Sequence, residues 1–209
     1  MAKRLKPEFF KRDVLKVAPD LLGKTLVRRF SDGRIERYTI TETEAYRGTD
    51  DLACHASKGR TPRTEVMFRE GGLIYVYLIY GMYWMLNFVT NEDNHPSAVL
   101  IRGIGEVIGP GKVGRLLELD KSFYGEDIYL SDRLWVEDES DGLVIHTTHP
   151  RVGIDYAGDP WVSKPWRYKM TKRVSQKVIL FFILLGRKFC NAVSIFLHEL
   201  YFQPAGFNE

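Results

Sequence analysis

Glu42 and Glu44, in the run Tyr38-Thr39-Ile40-Thr41-Glu42-Thr43-Glu44-Ala45-Tyr46, are the side chains of this chain best suited by type and spacing to acid–base chemistry. In an extended strand successive side chains alternate, so Tyr38, Ile40, Glu42, Glu44 and Tyr46 share one face and Thr39, Thr41, Thr43 and Ala45 the other. Two carboxylates therefore stand on the more apolar side. An unpaired carboxylate buried there costs several kcal/mol and tends to raise its own pKa. A strand places one there for a salt bridge or for catalysis, and the residues alone leave both readings open.

Rings gather around this strand. Tyr46 ends it, His55 lies in the loop that follows, and Leu73-Ile74-Tyr75-Val76-Tyr77-Leu78-Ile79-Tyr80 carries three tyrosines, the last beside Gly81. A protein that does chemistry on a nucleobase needs a carboxylate, π-faces to stack the extruded base and a wedge to fill the hole it leaves. Tyrosines on a central strand are also ordinary core material.

The elements that must position these groups follow from pattern. Pro7 to Leu22 has apolar residues at roughly helical spacing, interrupted near Pro19 and stopped by Gly23, which predicts one or two short helices. Lys24 to Phe30 and Arg34 to Tyr46, joined by Ser31-Asp32-Gly33, predict a hairpin. Gly48 to Arg69 lacks periodicity and predicts a long loop. Leu73 to Tyr80 is apolar on both faces and predicts a central strand. Met82 to Thr90 and Ala98 to Arg102 continue the sheet, and Lys112 to Leu119 predicts a short amphipathic helix. Short strands or turns are expected at 127–134, 135–137, 143–147 and 151–155. The tail from Thr171 alternates basic and apolar stretches. Taken as one membrane span it would hold Arg187 and Lys188 near its middle, at roughly 2.5 to 3.5 kcal/mol each, so two short packed elements are expected in preference to a membrane-surface segment.

The 209 residues suit one domain, here residues 1–170 with an appended 171–209, and the 44% hydrophobic content is that of a soluble protein. A net charge of +3 permits a polyanionic partner without requiring one. Two cysteines, Cys54 and Cys190, form neither a disulfide framework nor a zinc site, and the basic start lacks the apolar run of a secretory signal. A cytoplasmic location, or a nuclear one in a eukaryote, is expected. Gly103-Ile104-Gly105 through Gly109 imitates a dinucleotide fingerprint, but Pro110-Gly111 and the lack of βαβ units speak against it. Val113 after Gly111-Lys112 excludes a P-loop, and no Gly-x-Ser-x-Gly elbow is present.

Glu42-Thr43-Glu44-Ala45-Tyr46, Ala53-Cys54-His55, Thr61-Pro62-Arg63, Met67-Phe68 and Tyr75-Val76-Tyr77-Leu78-Ile79-Tyr80-Gly81-Met82-Tyr83 with Asn87 resemble the alkyladenine (3-methyladenine) DNA glycosylase family, in its mammalian-type form. The order continues through Val99-Leu100-Ile101-Arg102, Gly109-Pro110-Gly111-Lys112, Arg151-Val152-Gly153 and Lys164-Pro165-Trp166-Arg167, and covers about Phe9 to Arg167. Two departures stand out: a short connection between Arg102 and Gly109, and a tail after Arg167 without counterpart.

The resemblance implies an α+β single domain with a curved, mainly antiparallel sheet and flanking helices. It implies hydrolysis of the N-glycosidic bond of alkylated or deaminated purines in double-stranded DNA, the first step of base excision repair. Glu44 would be the general base for a water attacking C1′, and Arg102 would orient that water or a phosphate. Tyr46 and His55 would stack on one face of the flipped base and Tyr77 on the other, at about 1 to 3 kcal/mol per base. Tyr80 would be the minor-groove wedge. Asn87 would reject the amino group of normal guanine, and Val152 would offer its backbone carbonyl to the water. No metal or organic cofactor, no obligate protein partner, a monomer and no strand cleavage are expected, the last because water is the nucleophile and no lysine is placed in the pocket. The alternative is a non-catalytic binder of damaged or distorted DNA.

Overall fold

The computed structural model describes residues 3–139, 142–175 and 177–178, and in it the strand that carries Glu44 is the spine of a ten-stranded sheet. The chain runs β1 (Lys3–Arg4), α1 (Pro7–Phe10), α2 (Val14–Asp20), β2 (Thr25–Arg29), β3 (Ile35–Arg47), β4 (Ile74–Ile79), β5 (Tyr83–Thr90), β6 (Ser97–Ile104), β7 (Val107–Ile108), α3 (Pro110–Leu116), β8 (Leu134–Asp138), β9 (Leu143–His149) and β10 (Arg167–Val174). Neighbours in the sheet are β1-β8-β2-β3-β6-β5-β4, with β10 also on β3, β9 on β10 and β7 on β6. The pairings among β1 to β8, and of β10 with β3, are antiparallel. This is the expected α+β class.

The predicted hairpin is β2–β3, in register from Thr25 opposite Thr39 to Arg29 opposite Ile35. Beyond Thr39 the same strand takes β6 on one side and β10 on the other, so its second half is hydrogen-bonded on both edges. Helix α2 covers it. Asp13 caps that helix by accepting from the Leu15 N–H at 2.8 Å, and Val14, Val17 and Ala18 turn inward. The Thr43 hydroxyl donates to the Ala18 carbonyl at 2.9 Å, fixing strand to helix. One large apolar cluster lies here, with Phe10, Leu26, Ile40, Ala45, Phe88, Val99 and Ile101 among its members.

Strict alternation along β3 does not hold. Its register against β6 is irregular at Thr41-Glu42, where Glu42 faces Gly103 out of step with its neighbours. Tyr38 and Ile40, expected beside the carboxylates, pack with the core cluster that also holds Ala45, while Glu42, Glu44 and Tyr46 face the other way. A bulge of this kind re-aims the side chains on one side of it. Gly103 permits it, because a Cβ there would lie 2.9 Å from Thr41 Oγ1 and 3.1 Å from Glu42 Cβ.

The run at Leu73–Tyr80 is not a central strand: β4 is the last strand in the sheet order. Its two apolar faces have another cause. Ile74 and Val76 enter the main cluster, and Tyr75 enters a second one under the 48–69 loop, with Cys54, Met67 and Val89. That loop holds single turns of 3-10 helix at His55–Lys58 and Glu65–Phe68. Helix α3 starts earlier than predicted because Pro110 occupies its first turn. It lies flat on β5, where a Cβ on Gly114 would be 1.9 Å from the Trp84 carbonyl oxygen.

Two units divide the chain, Met1–Ser140 with Val144–Lys172, and Asp141–Leu143 with Arg173–Glu209. In the second, Gly142 abuts the Val174 carbonyl, and nearly all of the expected packed tail, Cys190 included, lies outside the described residues. Among the described residues no helix is long and apolar enough to cross a membrane.

Candidate active site

A cavity of about 540 Å³ opens beside the second half of β3. Tyr46, His55, Tyr77, Asn87, Arg102 and Val152 all line it, and Tyr80 stands at its rim. These residues come from β3, the 48–69 loop, β4, β5, β6 and the loop after β9. The sheet thus brings together side chains more than 100 positions apart.

Glu44 has no exposed surface and lies directly behind the cavity wall. Its Oε1 accepts from the Val152 N–H at 2.8 Å, its Oε2 from the Tyr46 hydroxyl at 2.9 Å, and Arg102 Nη1 is 3.4 Å from Oε1. Val152 therefore holds the carboxylate through its N–H. Burial pushes the Glu44 pKa above the ordinary carboxylate value, against the opposing pull of Arg102, the Val152 N–H and the Tyr46 hydroxyl. Glu42, also buried, takes Arg167 Nη1 at 2.9 Å and Arg102 Nε at 3.4 Å. Arg102 thus bridges the two acids.

The three rings expected to hold the base line one cavity. His55 and Tyr77 stand edge to face with centroids 4.6 Å apart. A base stacked between two rings needs roughly 7 Å between their planes, twice the optimal carbon–carbon separation. Nothing fits between this pair as they stand, so His55 and Tyr77 form one wall of the cavity that Tyr46 also lines. His55 Nδ1 is 2.8 Å from the Tyr75 hydroxyl and its Nε2 is 3.3 Å from Arg63 Nη2. Burial, with Arg63 adding to it, lowers the His55 pKa to about 4. Burial likewise raises the Tyr46 hydroxyl well above its ordinary value and the Tyr77 hydroxyl to about 12.

Asn87 is buried, and its Nδ2 donates to the carbonyls of Tyr75 at 3.1 Å and Met85 at 3.3 Å, which fixes the amide at the base of the cavity. Tyr80 is 84% exposed at the tip of the β4–β5 hairpin, with φ of +52° beside Gly81 at +68°. A tyrosine held in the left-handed region costs of order 1 kcal/mol, and the hairpin tolerates this while projecting the ring outward.

Several residues of this region were not expected. Asp51 and Arg151, 100 positions apart, form a fully buried pair with contacts of 2.6 and 2.9 Å, and the Arg151 guanidinium lies 4.8 Å from the centroid of Tyr46. Arg63 lies over Tyr77 at 4.9 Å. Lys58 and Tyr156 also line the cavity, so the lack of a pocket lysine no longer argues against strand cleavage. Thr61-Pro62-Arg63 and Arg151-Val152-Gly153 were visible as motifs, and that signal could have nominated both arginines. Among the described residues no group of three or more His, Cys, Asp or Glu could hold a metal ion.

Comparison with known proteins matches residues 8–174 to the family model described as methylpurine-DNA glycosylase. A protein of Methanocella arvoryzae with the provisional name 3-methyladenine DNA glycosylase is 45% identical over 182 residues, covering 77% of this chain and 89% of the relative. Proteins of the same provisional name from Psychrobacter cryohalolentis and Clostridium botulinum are 41% and 39% identical. They cover 82% and 83% of this chain, and 93% and 99% of their own lengths.

Proposed function

The chain belongs to the methylpurine-DNA glycosylase family, a DNA glycosylase acting on methylated purines, and from that premise we propose how its site works and on which lesions. Alkylated and deaminated purines, the 3-methyladenine, 7-methylguanine, hypoxanthine and ethenoadenine class, are turned out of duplex DNA into the ring-lined cavity. There the base lies between Tyr46 and the wall made by His55 and Tyr77, and Asn87 meets the edge where guanine carries its amino group. Tyr80 enters the minor groove in place of the lost base.

Glu44 deprotonates a water that adds to C1′ as the sugar approaches an oxocarbenium ion, which the carboxylate also stabilises. The observation that carries this reading is the environment of Glu44: a buried carboxylate behind the wall of a cavity of about 540 Å³, with its pKa raised by burial above the ordinary carboxylate value. Tyr46 and Arg102 both touch Glu44 and both line the cavity, and a shift of either on DNA binding would open the carboxylate to the water. The enzyme works as a monomer on double-stranded DNA.

The test is single-turnover release of hypoxanthine or ethenoadenine from a duplex oligonucleotide. Glu44→Gln should lower the rate by about 10² to 10⁴, the range of a general base. Equal rates for the two proteins would remove Glu44 from this role. Tight binding with no base release by the native protein would make it a reader of damaged DNA instead.

A further inference from the structure

From the placement of Arg63 we infer that this arginine stabilises the departing base and thereby favours neutral damaged purines over those with a fixed positive charge; the inference rests on the glycosylase reading above. Arg63 is held over the ring face of Tyr77 at 4.9 Å and against His55 Nε2 at 3.3 Å, and it lines the cavity. A base laid on the His55–Tyr77 wall meets this guanidinium.

The arginine is carried on a braced turn. The Thr61 and Thr64 hydroxyls lie 2.9 Å apart, Thr64 Oγ1 donates to the Gly59 carbonyl at 2.8 Å, and the Tyr124 hydroxyl reaches the Pro62 carbonyl at 3.1 Å and that of Arg63 at 3.3 Å. Arginine offers only donors, so the His55 nitrogen facing it accepts, and the ring proton sits on Nδ1, which donates to the Tyr75 hydroxyl. His55 is thus a neutral ring with no proton to give from its Nε2. Arg63 sets a positive charge directly against this wall, and Lys58 and Arg102 line the same cavity.

When the C1′–N9 bond breaks, both of its electrons go to the purine, the water oxygen bonds to C1′ and the water proton passes to Glu44. A base such as 7-methylguanine already carries a positive charge, takes the pair and leaves neutral. Hypoxanthine takes the pair and leaves as an anion that later collects a proton from solvent. A guanidinium at the wall stabilises the second transition state and repels the charge of the first base. Arg63 does not itself transfer a proton.

The test compares single-turnover excision of hypoxanthine and of 7-methylguanine from otherwise identical duplexes, corrected for spontaneous loss. Arg63→Gln should slow hypoxanthine release at least about tenfold, below the 10² to 10³ typical of a fully buried donor because Arg63 is exposed. Release of 7-methylguanine should change less than about threefold or quicken. Arg63→Lys, which keeps the charge, should fall between native and Gln on hypoxanthine. An equal loss on both lesions would make Arg63 a phosphate contact or a prop for His55 and overturn the inference, as would no loss on either, or a lysine variant no better than glutamine. A native protein inactive on both lesions would refute the lesion range proposed above and this inference with it, a result separable from the others because it appears before any substitution is made.

Discussion

Asp51→Asn should be among the most damaging single-atom changes in this protein, and its effects reach the candidate catalytic residue. Asp51 and Arg151 have no exposed side-chain surface, and two charge-assisted bonds of 2.6 and 2.9 Å join them. Asp51 also accepts from the N–H of Arg47 and of Ala53, both at 3.1 Å. Arg151 gives Nη1 to the Ala45 carbonyl at 3.0 Å, while its Nε has no hydrogen-bond partner among the described residues. Breaking a buried pair from one side leaves an uncompensated charge and costs about 3 to 5 kcal/mol. In a chain of this size each kcal/mol moves Tm by about 2 to 4 °C, so a fall of about 6 to 20 °C is expected. Arg151 precedes Val152, whose N–H holds Glu44, and packs on Tyr46, whose hydroxyl holds the other oxygen. Excision below the new Tm should therefore slow as well.

Thermal unfolding followed by circular dichroism, with single-turnover kinetics at 20 °C, measures both effects. Replacing the pair together, Asp51→Leu with Arg151→Met, removes the stranded charge and should recover much of the stability but not the rate. A fall of less than 2 °C for Asp51→Asn would refute the reasoning, since it would mean that water reaches the pair.

Glu44 has a folded pKa above its ordinary 4.5, so the stability it contributes is complete below that value and is lost as pH rises through the shifted pKa. Glu44→Gln, which cannot ionise, should raise Tm at pH 7.5, the exchange of stability for activity expected at a functional carboxylate; a lower Tm would contradict this. On the same ground the excision rate of the native enzyme should climb with pH through an apparent pKa above the ordinary carboxylate range, and a limb at or below pH 4.5 would count against it. His55 shifts the other way, from 6.5 to about 4, so its stability is present above pH 6.5 and declines as pH falls toward 4, by up to about 3 kcal/mol in all. His55→Asn should flatten that part of the stability curve in urea titrations, and an unchanged slope would show that the ring is not kept neutral. Borohydride reduction during turnover should trap no covalent complex, despite Lys58 in the cavity wall; a trapped adduct would replace water by an amine as the nucleophile.

The sequence carried the hairpin, the short helices expected in 7–22 and at 112–119 and the ring-bearing segments because each is set by local pattern: turn residues and apolar spacing. It placed Leu73–Tyr80 at the centre of the sheet because apolar residues on both faces report coverage, and coverage came from two clusters above and below an edge strand. The alternation of β3 failed at Thr41-Glu42 because the bulge depends on Gly103, a residue on another strand. The Asp51–Arg151 pair and the contact between His55 and Tyr77 have no local signature at all, since they exist only once the loop and strands have folded together.

In the sequence Glu42 and Glu44 are equivalents, two acids on one face, with ion pairing and catalysis both open to each. Folding separates them by their neighbours. Glu42 is matched by Arg167 at 2.9 Å and by Arg102 Nε at 3.4 Å, and cross-strand pairing of β10 with β3 holds the first of these in place. Glu44 shares Arg102 with it at 3.4 Å and otherwise meets a backbone N–H and a hydroxyl, neither of which carries charge. Had Arg102 served Glu44 alone in a bidentate contact, the carboxylate would have been held well below neutrality and made a weak base. By drawing Nε away, Glu42 leaves burial the larger influence on Glu44, which is the direction its pKa takes. The ion-pair reading thus suits the first acid and the chemical reading the second, and each depends on the other: a neutral residue at 42 would release Arg102 to Glu44 and cost the base its strength.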